Sequence, residues 1–135
     1  MPDVLREIVL YLRLAQAFGK RLQMLDRDRA LLLAGSFASL RELSPISAFC
    51  RHLILQNNHG HMIRKWESFE QAIESADYQA LLKQVLRRFP VEKAETTLAT
   101  LNYECDVRRS DYDSELEFVA AVAGVGVDWL NENFE

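Results

Sequence analysis

Apolar side chains recur three and four positions apart along almost the whole chain, and they hardly ever alternate strictly with polar ones. This spacing places apolar groups on one face of a helix, whereas a half-buried strand needs a period of two. The pattern therefore predicts an all-α fold. Helices of roughly 10 to 18 residues with short connections are typical of antiparallel neighbours, and six or seven of them form an irregular antiparallel bundle in a chain of this length.

The first predicted helix, residues 4–18, is apolar on nearly its whole circumference. Such a helix is usually covered by several neighbours, so we expect it to be central. Gly19 predicts a break, after which a second helix carries four leucines and ends near Gly35 and Ser36. A single continuous bent helix is the alternative. The four leucines are Leu22, Leu25, Leu32 and Leu33.

A third helix is predicted from Pro45 to Gln56. Ser44 can accept a hydrogen bond from first-turn amides, and Pro45 occupies a position that needs no donor. Residues 57–60 are Asn, Asn, His and Gly, which include types that tolerate a left-handed backbone. The helix is therefore expected to end there in a turn.

A helical stripe that includes Trp66 continues over residues 62–73. Asp77 offers a cap for the next helix, because its carboxylate can accept from first-turn amides. Pro90 sets the end of that helix, since the residue before a proline avoids helical geometry. This part of the chain is thus predicted to contribute two helices.

Apolar residues from Val91 to Cys105 are spaced three, four, three and four apart, which predicts a helix with a narrow packing seam and places Cys105 in the core. Ser114 and Glu117 match a capping box. They predict the start of a last helix that extends to Val127 and carries small residues for close helix packing.

Composition is that of a globular chain: 135 residues, 49% apolar and 27% charged. This length supports one hydrophobic core, so we expect a single domain over residues 1–135. Two cysteines do not make a disulfide framework, and the N-terminal segment is interrupted by charges, so no export signal is expected. The longest uncharged run near the C-terminus, Phe118 to Val127, has ten residues, half of the roughly 20 that a bilayer-spanning helix needs. The expectation is a soluble cytoplasmic protein with no membrane partner.

Charge divides the chain into two unlike halves. Residues 1–66 carry a balance of +5 and residues 67–135 one of −9, and no basic residue follows Arg109. An isoelectric point near 5.4 argues against nucleic acid as a partner. One interpretation of the asymmetry is a surface that orients a basic protein or a head-to-tail contact between two copies. The alternative, which the positions of the carboxylates favour, is that they stabilise a helix N-terminus and solvate one face.

All three histidines lie close together, at His52, His59 and His61, with Cys50 just upstream. On a helix, Cys50 and His52 point about 200° apart and cannot share one ion. His59 and His61 flank Gly60, so both rings can face one ligand. A divalent metal such as zinc would still need a further ligand, for which Cys50, His52 or an acidic residue are candidates. The alternative is that these histidines satisfy local backbone groups.

Arg64, Lys65 and Trp66 form a second candidate surface. A tryptophan beside two cations can stack a base or anchor a protein partner. Alternatively, Trp66 continues the apolar stripe into the core and the two cations project into solvent. The second arrangement is the one that the helical spacing favours.

No catalytic motif is recognisable in these residues. The apolar first helix, the small-residue last helix and the opposed charges favour a protein-interaction or self-associating module without catalytic activity. Its partner is then another protein or a second copy of this chain in a homodimer. The alternative is a metal- or small-ligand-binding protein, an enzyme included, that uses the turn at residues 59–61.

Overall fold

The structure, a computed structural model, describes residues 3–134 and confirms the all-α prediction. Over that range it has eight α-helices and two 3₁₀ turns, so the predicted count of six or seven was too low. Met1, Pro2 and Glu135, which the domain prediction included, lie outside the described residues. The α-helices are α1 (Val4–Lys20), α2 (Met24–Leu40), α3 (Ser44–Asn57), α4 (Phe69–Ile73), α5 (Ala76–Arg88), α6 (Val91–Thr100), α7 (Glu115–Ala123) and α8 (Val127–Phe134), and the 3₁₀ turns are Met62–Lys65 and Arg109–Asp111.

Helix α1 is central, as its apolar circumference predicted. It packs against α2, α6 and α7, and Ile8, Tyr11 and Leu14 on it have no exposed surface. The hydrophobic core that surrounds it draws buried residues from all eight helices. Among residues 3–134, no helix has both the length and the apolar character that a bilayer crossing requires.

The turn between α1 and α2 differs from the prediction. Gly19 does not break α1, which continues to Lys20. The chain reverses at Leu22 instead, whose φ is +58°, and the Gln23 amide donates back to the Phe18 carbonyl at 3.0 Å. This six-to-one bond is a Schellman helix end, built here on a residue type that seldom adopts the left-handed region. Leu22, predicted for the second helix, therefore lies before it, and both Leu22 and Leu25 are exposed.

The second helix also runs further than predicted, through Gly35 and Ser36 to Leu40. Gly35 lies in the middle of the helix. A glycine fits this position because the ring of Phe69 occupies the space that a side chain would need. The Ser36 hydroxyl donates to the Leu32 carbonyl oxygen at 2.7 Å, which satisfies it inside the helix. Both residues therefore serve packing in the middle of α2 rather than its end.

Helix α3 begins one residue before the predicted start. Leu43 is its N-cap residue, and Ser44 and Pro45 form the first turn. The helix ends at Asn57, close to the predicted end. Ser44 makes no capping bond, and its hydroxyl instead donates to the Glu70 carboxylate at 3.1 Å.

The predicted stripe over residues 62–73 is two short elements rather than one helix. The 3₁₀ turn ends at Lys65, and the next residue, Trp66, has an extended backbone. The Ser68 hydroxyl then caps α4 by accepting from the Gln71 backbone amide at 3.1 Å. Asp77 is not a cap, because α5 begins at Ala76 and places Asp77 in its first turn.

The prediction that Cys105 lies in the core was wrong. Helix α6 ends at Thr100, and Asn102 with φ +54° turns the chain out of the helix. Cys105 then falls in an irregular connection and is only partly buried. The three-four spacing of apolar residues continues beyond the end of the helix. Because the backbone there is not helical, that spacing no longer places the residues on one face.

The last predicted helix is two helices. The Ser114 hydroxyl accepts from the Glu117 amide at 3.1 Å, so the predicted helix start is confirmed. Gly124 takes the left-handed conformation, with φ +81°, and ends α7. Helix α8 follows from Val127.

Candidate functional site

The structure separates the members of the histidine-rich segment. Cys50 is fully buried whereas His52, two positions later on α3, is exposed. This confirms that the two side chains diverge. Burial raises the pKa of the Cys50 thiol to about 12, although the nearby Arg27 acts in the opposite direction. A thiol with that pKa is protonated at neutral pH and is a poor nucleophile or ligand.

His59 and His61 also lie in different surroundings. His61 is the N-cap residue of the first 3₁₀ turn, and its Nδ1 accepts a hydrogen bond from the Ile63 amide at 3.0 Å. Its pKa is lowered, mainly by burial, with Asp28 opposing the shift. His59 is exposed, and its carbonyl oxygen accepts from Arg64 at 3.4 Å.

The structure instead brings His59 together with His52. Both line a pocket of about 390 Å³ between α3, the chain after it and the end of α8. The His52 ring packs against Phe134 with 5.5 Å between ring centroids. Within residues 3–134 no three His, Cys, Asp or Glu side chains are grouped to hold a metal ion. The remaining residues of the pocket are Ala48, Arg51, Leu55, Gln56, Glu67 and Ser68.

Trp66 is partly buried, whereas its two cationic neighbours are exposed. Its ring meets that of Tyr78 edge-on, with 5.5 Å between centroids, and it packs against the core. Its carbonyl oxygen accepts two hydrogen bonds from the Arg51 guanidinium, at 2.9 and 3.1 Å. Arg64 and Lys65 are exposed. This is the arrangement that the helical spacing favours.

A larger cleft, of about 440 Å³, lies between α1, α6, α7 and the connection from α6 to α7. We call it the arginine cleft, because three arginines line it together with two carboxylates. The other residues that line it are apolar. The charged residues are Arg6, Arg13, Arg109, Asp3 and Glu95, and the apolar residues are Leu5, Val9, Leu10, Leu98, Val107 and Phe118.

The three guanidinium groups of the arginine cleft are held differently. Arg6 lies at the rim and pairs with Glu95 at 3.1 Å. Arg13 lies deeper: its Nη2 donates to the Val107 carbonyl oxygen at 3.1 Å, while its buried Nε has no hydrogen-bond partner within residues 3–134. Arg109 donates to the Tyr112 carbonyl oxygen at 2.7 Å. Each guanidinium keeps N–H groups beyond those that these contacts use.

The geometry of the cleft follows from the one polar stripe on α1. Arg6, Arg13, Gln16 and Lys20 are spaced seven, three and four apart, so they share one side of the helix. Gln16 donates to the Val122 carbonyl oxygen at 2.8 Å and accepts from the Tyr103 hydroxyl. The stripe thereby fixes the long connection before α7 and shapes one wall of the cleft.

The sequence patterns did not predict the arginine cleft. Its walls come from segments about 90 residues apart, and no local motif joins them. The one available signal was the polar stripe on an otherwise apolar helix. Comparison of the chain with protein-family models, with curated proteins and with solved structures found no match.

Proposed function

We propose that this chain is a protein-interaction module without catalytic activity, and that the arginine cleft is its binding surface. The partner presents an exposed segment in which an acidic residue adjoins apolar ones. The observation that carries this proposal is the placement of three guanidinium groups around one apolar-walled cleft of about 440 Å³.

The charges of the cleft favour a carboxylate over a cation. Three arginines face two carboxylates, and one of those, Glu95, is already paired with Arg6. The Arg13 guanidinium bonds to a backbone carbonyl oxygen, and within residues 3–134 its buried Nε has no hydrogen-bond partner, so no carboxylate of the cleft neutralises it. Guanidinium groups bind carboxylates through paired, charge-assisted hydrogen bonds.

The apolar lining of the cleft favours a partner in which an apolar side chain lies next to that carboxylate. Leu98 and Phe118 approach from α6 and α7, and Val9 and Leu10 form the α1 side. Burial of a leucine-sized side chain against such walls contributes about 1.5–3 kcal/mol when it is complete. An acidic residue next to leucine or phenylalanine therefore uses both parts of the cleft.

The open rim favours a protein segment over a small molecule. The side chain of Arg6 is 71% exposed and that of Glu95 is 43% exposed. Small-molecule sites usually enclose 70–90% of their ligand, and a rim with side chains this exposed favours a ligand that is only partly enclosed. An extended segment that enters the cleft and leaves it over the rim fits the shape.

The test uses short synthetic peptides in which aspartate or glutamate alternates with leucine or phenylalanine. Each is compared with its counterpart of equal length that carries asparagine or glutamine instead. Binding is followed by fluorescence anisotropy, and the site is mapped by backbone amide shifts in NMR spectra of the full chain. We expect acidic peptides alone to bind and to shift the amides of Val9, Leu10 and Val107.

Arg109→Gln is the informative variant because it removes one guanidinium without touching α1. Loss of a charge-assisted hydrogen bond is expected to weaken binding by about tenfold or more. Arg64→Gln is the matched control: it removes an exposed arginine outside the cleft and leaves binding unchanged. Equal binding by the amide peptides would reject the proposed recognition of a carboxylate. Binding of dodecanoate, a fatty acid, with no binding of any acidic peptide would reject a protein partner.

A further inference from the structure

We infer that two copies of this chain associate with each other. In this contact the basic end of one copy packs against the acidic face of α8 in the other. This contact is separate from the arginine cleft and does not depend on the function proposed for it. Two independent patches of opposite charge carry the inference, and each surrounds exposed apolar side chains.

The basic end is formed by Leu22, Leu25 and the four arginines near them. Leu22, in the turn between α1 and α2, is 83% exposed, and Leu25, in the first turn of α2, is 66% exposed. The end of α5 reaches the start of α2 here, since Arg29 and Arg88 both contact the Asp26 carboxylate, at 2.9 and 3.5 Å. The other two arginines of the basic end, Arg21 and Arg87, are exposed.

The acidic face comprises Asp128, Trp129 and Glu132 on α8. Trp129 is 43% exposed, although its ring also meets Phe49 edge-on with 5.7 Å between centroids. Asp128 and Glu132 are exposed and share one side of the helix at a spacing of four, with Trp129 three positions before Glu132. No basic residue occurs anywhere after Arg109 to neutralise this helix from its own segment.

The two patches match in chemistry. Tryptophan and arginine are the side chains that most often dominate interface energies, and a leucine pair offers the apolar surface that an exposed tryptophan ring can cover. Opposite charges around an apolar centre fix the orientation and speed the encounter of two surfaces. A second copy of the chain therefore supplies what each patch lacks.

The basic end is distant from the arginine cleft. Arg6 at the rim of the cleft and Arg21 at the basic end are 15 positions apart along α1, a separation of about 22 Å at 1.5 Å per residue. Variants of one surface thus leave the other in place, so the two proposals fail or succeed separately.

The experiment is sedimentation velocity of the full chain from about 1 µM to about 1 mM, a range that covers weak and moderate affinities. We expect the weight-average sedimentation coefficient to rise with concentration. The rise should shrink when the ionic strength goes from about 0.01 M to about 0.15 M, because the screening length falls from about 30 Å to about 8 Å.

Charge reversal identifies the surfaces. One variant carries Arg21→Glu and Arg87→Glu, the other Asp128→Lys and Glu132→Lys. Each alone should sediment as a monomer, because its two patches now repel their counterparts. A mixture of the two variants restores opposite charges across the contact and should associate again.

Arg64→Glu with Lys65→Glu is the matched control for the arginine variant, since it makes the same charge change outside both patches and should associate like the parent chain. Circular dichroism confirms that each variant is folded. Failure of the mixture to associate, or a parent chain that stays monomeric up to about 1 mM, overturns the inference. Binding to anionic phosphatidylserine vesicles through Leu22 and Leu25 without self-association would overturn it as well.

Discussion

The hydroxyl group of Tyr11 donates a hydrogen bond of 2.7 Å to the backbone carbonyl oxygen of Phe89. This bond joins the middle of α1 to the end of α5 across 78 positions of sequence, and both residues are buried. Burial, with help from Glu7 and Glu92, raises the pKa of Tyr11 to about 12, so the donor keeps its proton over the neutral range. Pro90 follows Phe89 directly. It has no backbone N–H and so cannot donate a hydrogen bond to a neighbouring carbonyl oxygen.

Tyr11→Phe is therefore expected to destabilise the fold by about 1–2 kcal/mol, since it leaves a buried carbonyl oxygen without its donor and changes little else. Urea denaturation followed by circular dichroism measures the effect. Tyr112→Phe is the control, because within residues 3–134 the Tyr112 hydroxyl makes no hydrogen bond. Equal midpoints for the two variants would show that the Tyr11 bond contributes no net stability.

Gly35 is expected to reject even a methyl group. A Cβ built at this position lies 2.8 Å from Cζ and 2.9 Å from Cδ2 of the Phe69 ring, and that ring is itself buried. Gly35→Ala should therefore destabilise the fold by about 1–3 kcal/mol despite the better helix propensity of alanine. Thermal or urea denaturation measures this change.

Gly19→Ala is the matched control for Gly35→Ala. It is also helical, but its Cβ would meet only the Arg27 side chain at an ordinary 3.6 Å. It should stabilise the chain by up to about 1 kcal/mol. Partial recovery of Gly35→Ala by Phe69→Leu would confirm that the ring causes the loss, and no recovery would place the cause elsewhere.

The two cysteines are expected to differ sharply in reactivity. Burial raises the pKa of the Cys50 thiol to about 12, whereas Cys105 is partly exposed on the connection before α7. Because the thiolate is the reactive form, native protein at pH 8 should react with about one equivalent of a thiol reagent such as Ellman's reagent, and denatured protein with about two.

Cys105→Ser identifies the reactive thiol. In this variant the fast reaction of the native protein, which is that of Cys105, should disappear. Only the slow reaction of the buried Cys50 should remain. Fast labelling that persists in Cys105→Ser would mean that Cys50 becomes accessible through local opening of α3.

Local patterns predicted those parts of the fold that local physics decides. Apolar spacing was sufficient to predict the all-α class and the central position of α1. A helix that is buried on every side is apolar around its whole circumference, and its own sequence shows this. The Ser114 cap was predictable for the same reason, since donor and acceptor are three residues apart. Cys50 and His52 diverge as their spacing on a helix requires.

The remainder depends on contacts between distant segments. Gly35 resembles a helix end in sequence, and only the ring of Phe69, 34 positions later, explains why it lies mid-helix. Leu22 has none of the residue preferences of a left-handed turn, so its φ of +58° could not be foreseen. The arginine cleft requires α1, α6 and α7 to be placed side by side. No pattern in any one of these segments contains that information.

His61 is expected to make the stability of the chain depend on pH. Its Nδ1 accepts from the Ile63 amide, so the bond requires that nitrogen to be unprotonated. Burial lowers its pKa in the folded state below the ordinary value of 6.5, although Asp28 opposes this. Between the folded-state pKa and 6.5 the unfolded chain therefore binds more protons than the folded one. The free energy of unfolding must then fall as pH decreases through 6.5, and this loss stops below the folded-state pKa.

The measurement is urea denaturation at a series of pH values from about 7.5 to about 5, with His61→Gln as the test variant. Glutamine does not titrate, so this variant should lose part of the pH dependence of the parent chain. His52→Gln, which removes an exposed histidine on α3, is the control and should keep that part. The same slope in the parent and in His61→Gln would show that another group is responsible for the acid sensitivity, and that His61 binds its proton equally well in the folded and the unfolded chain.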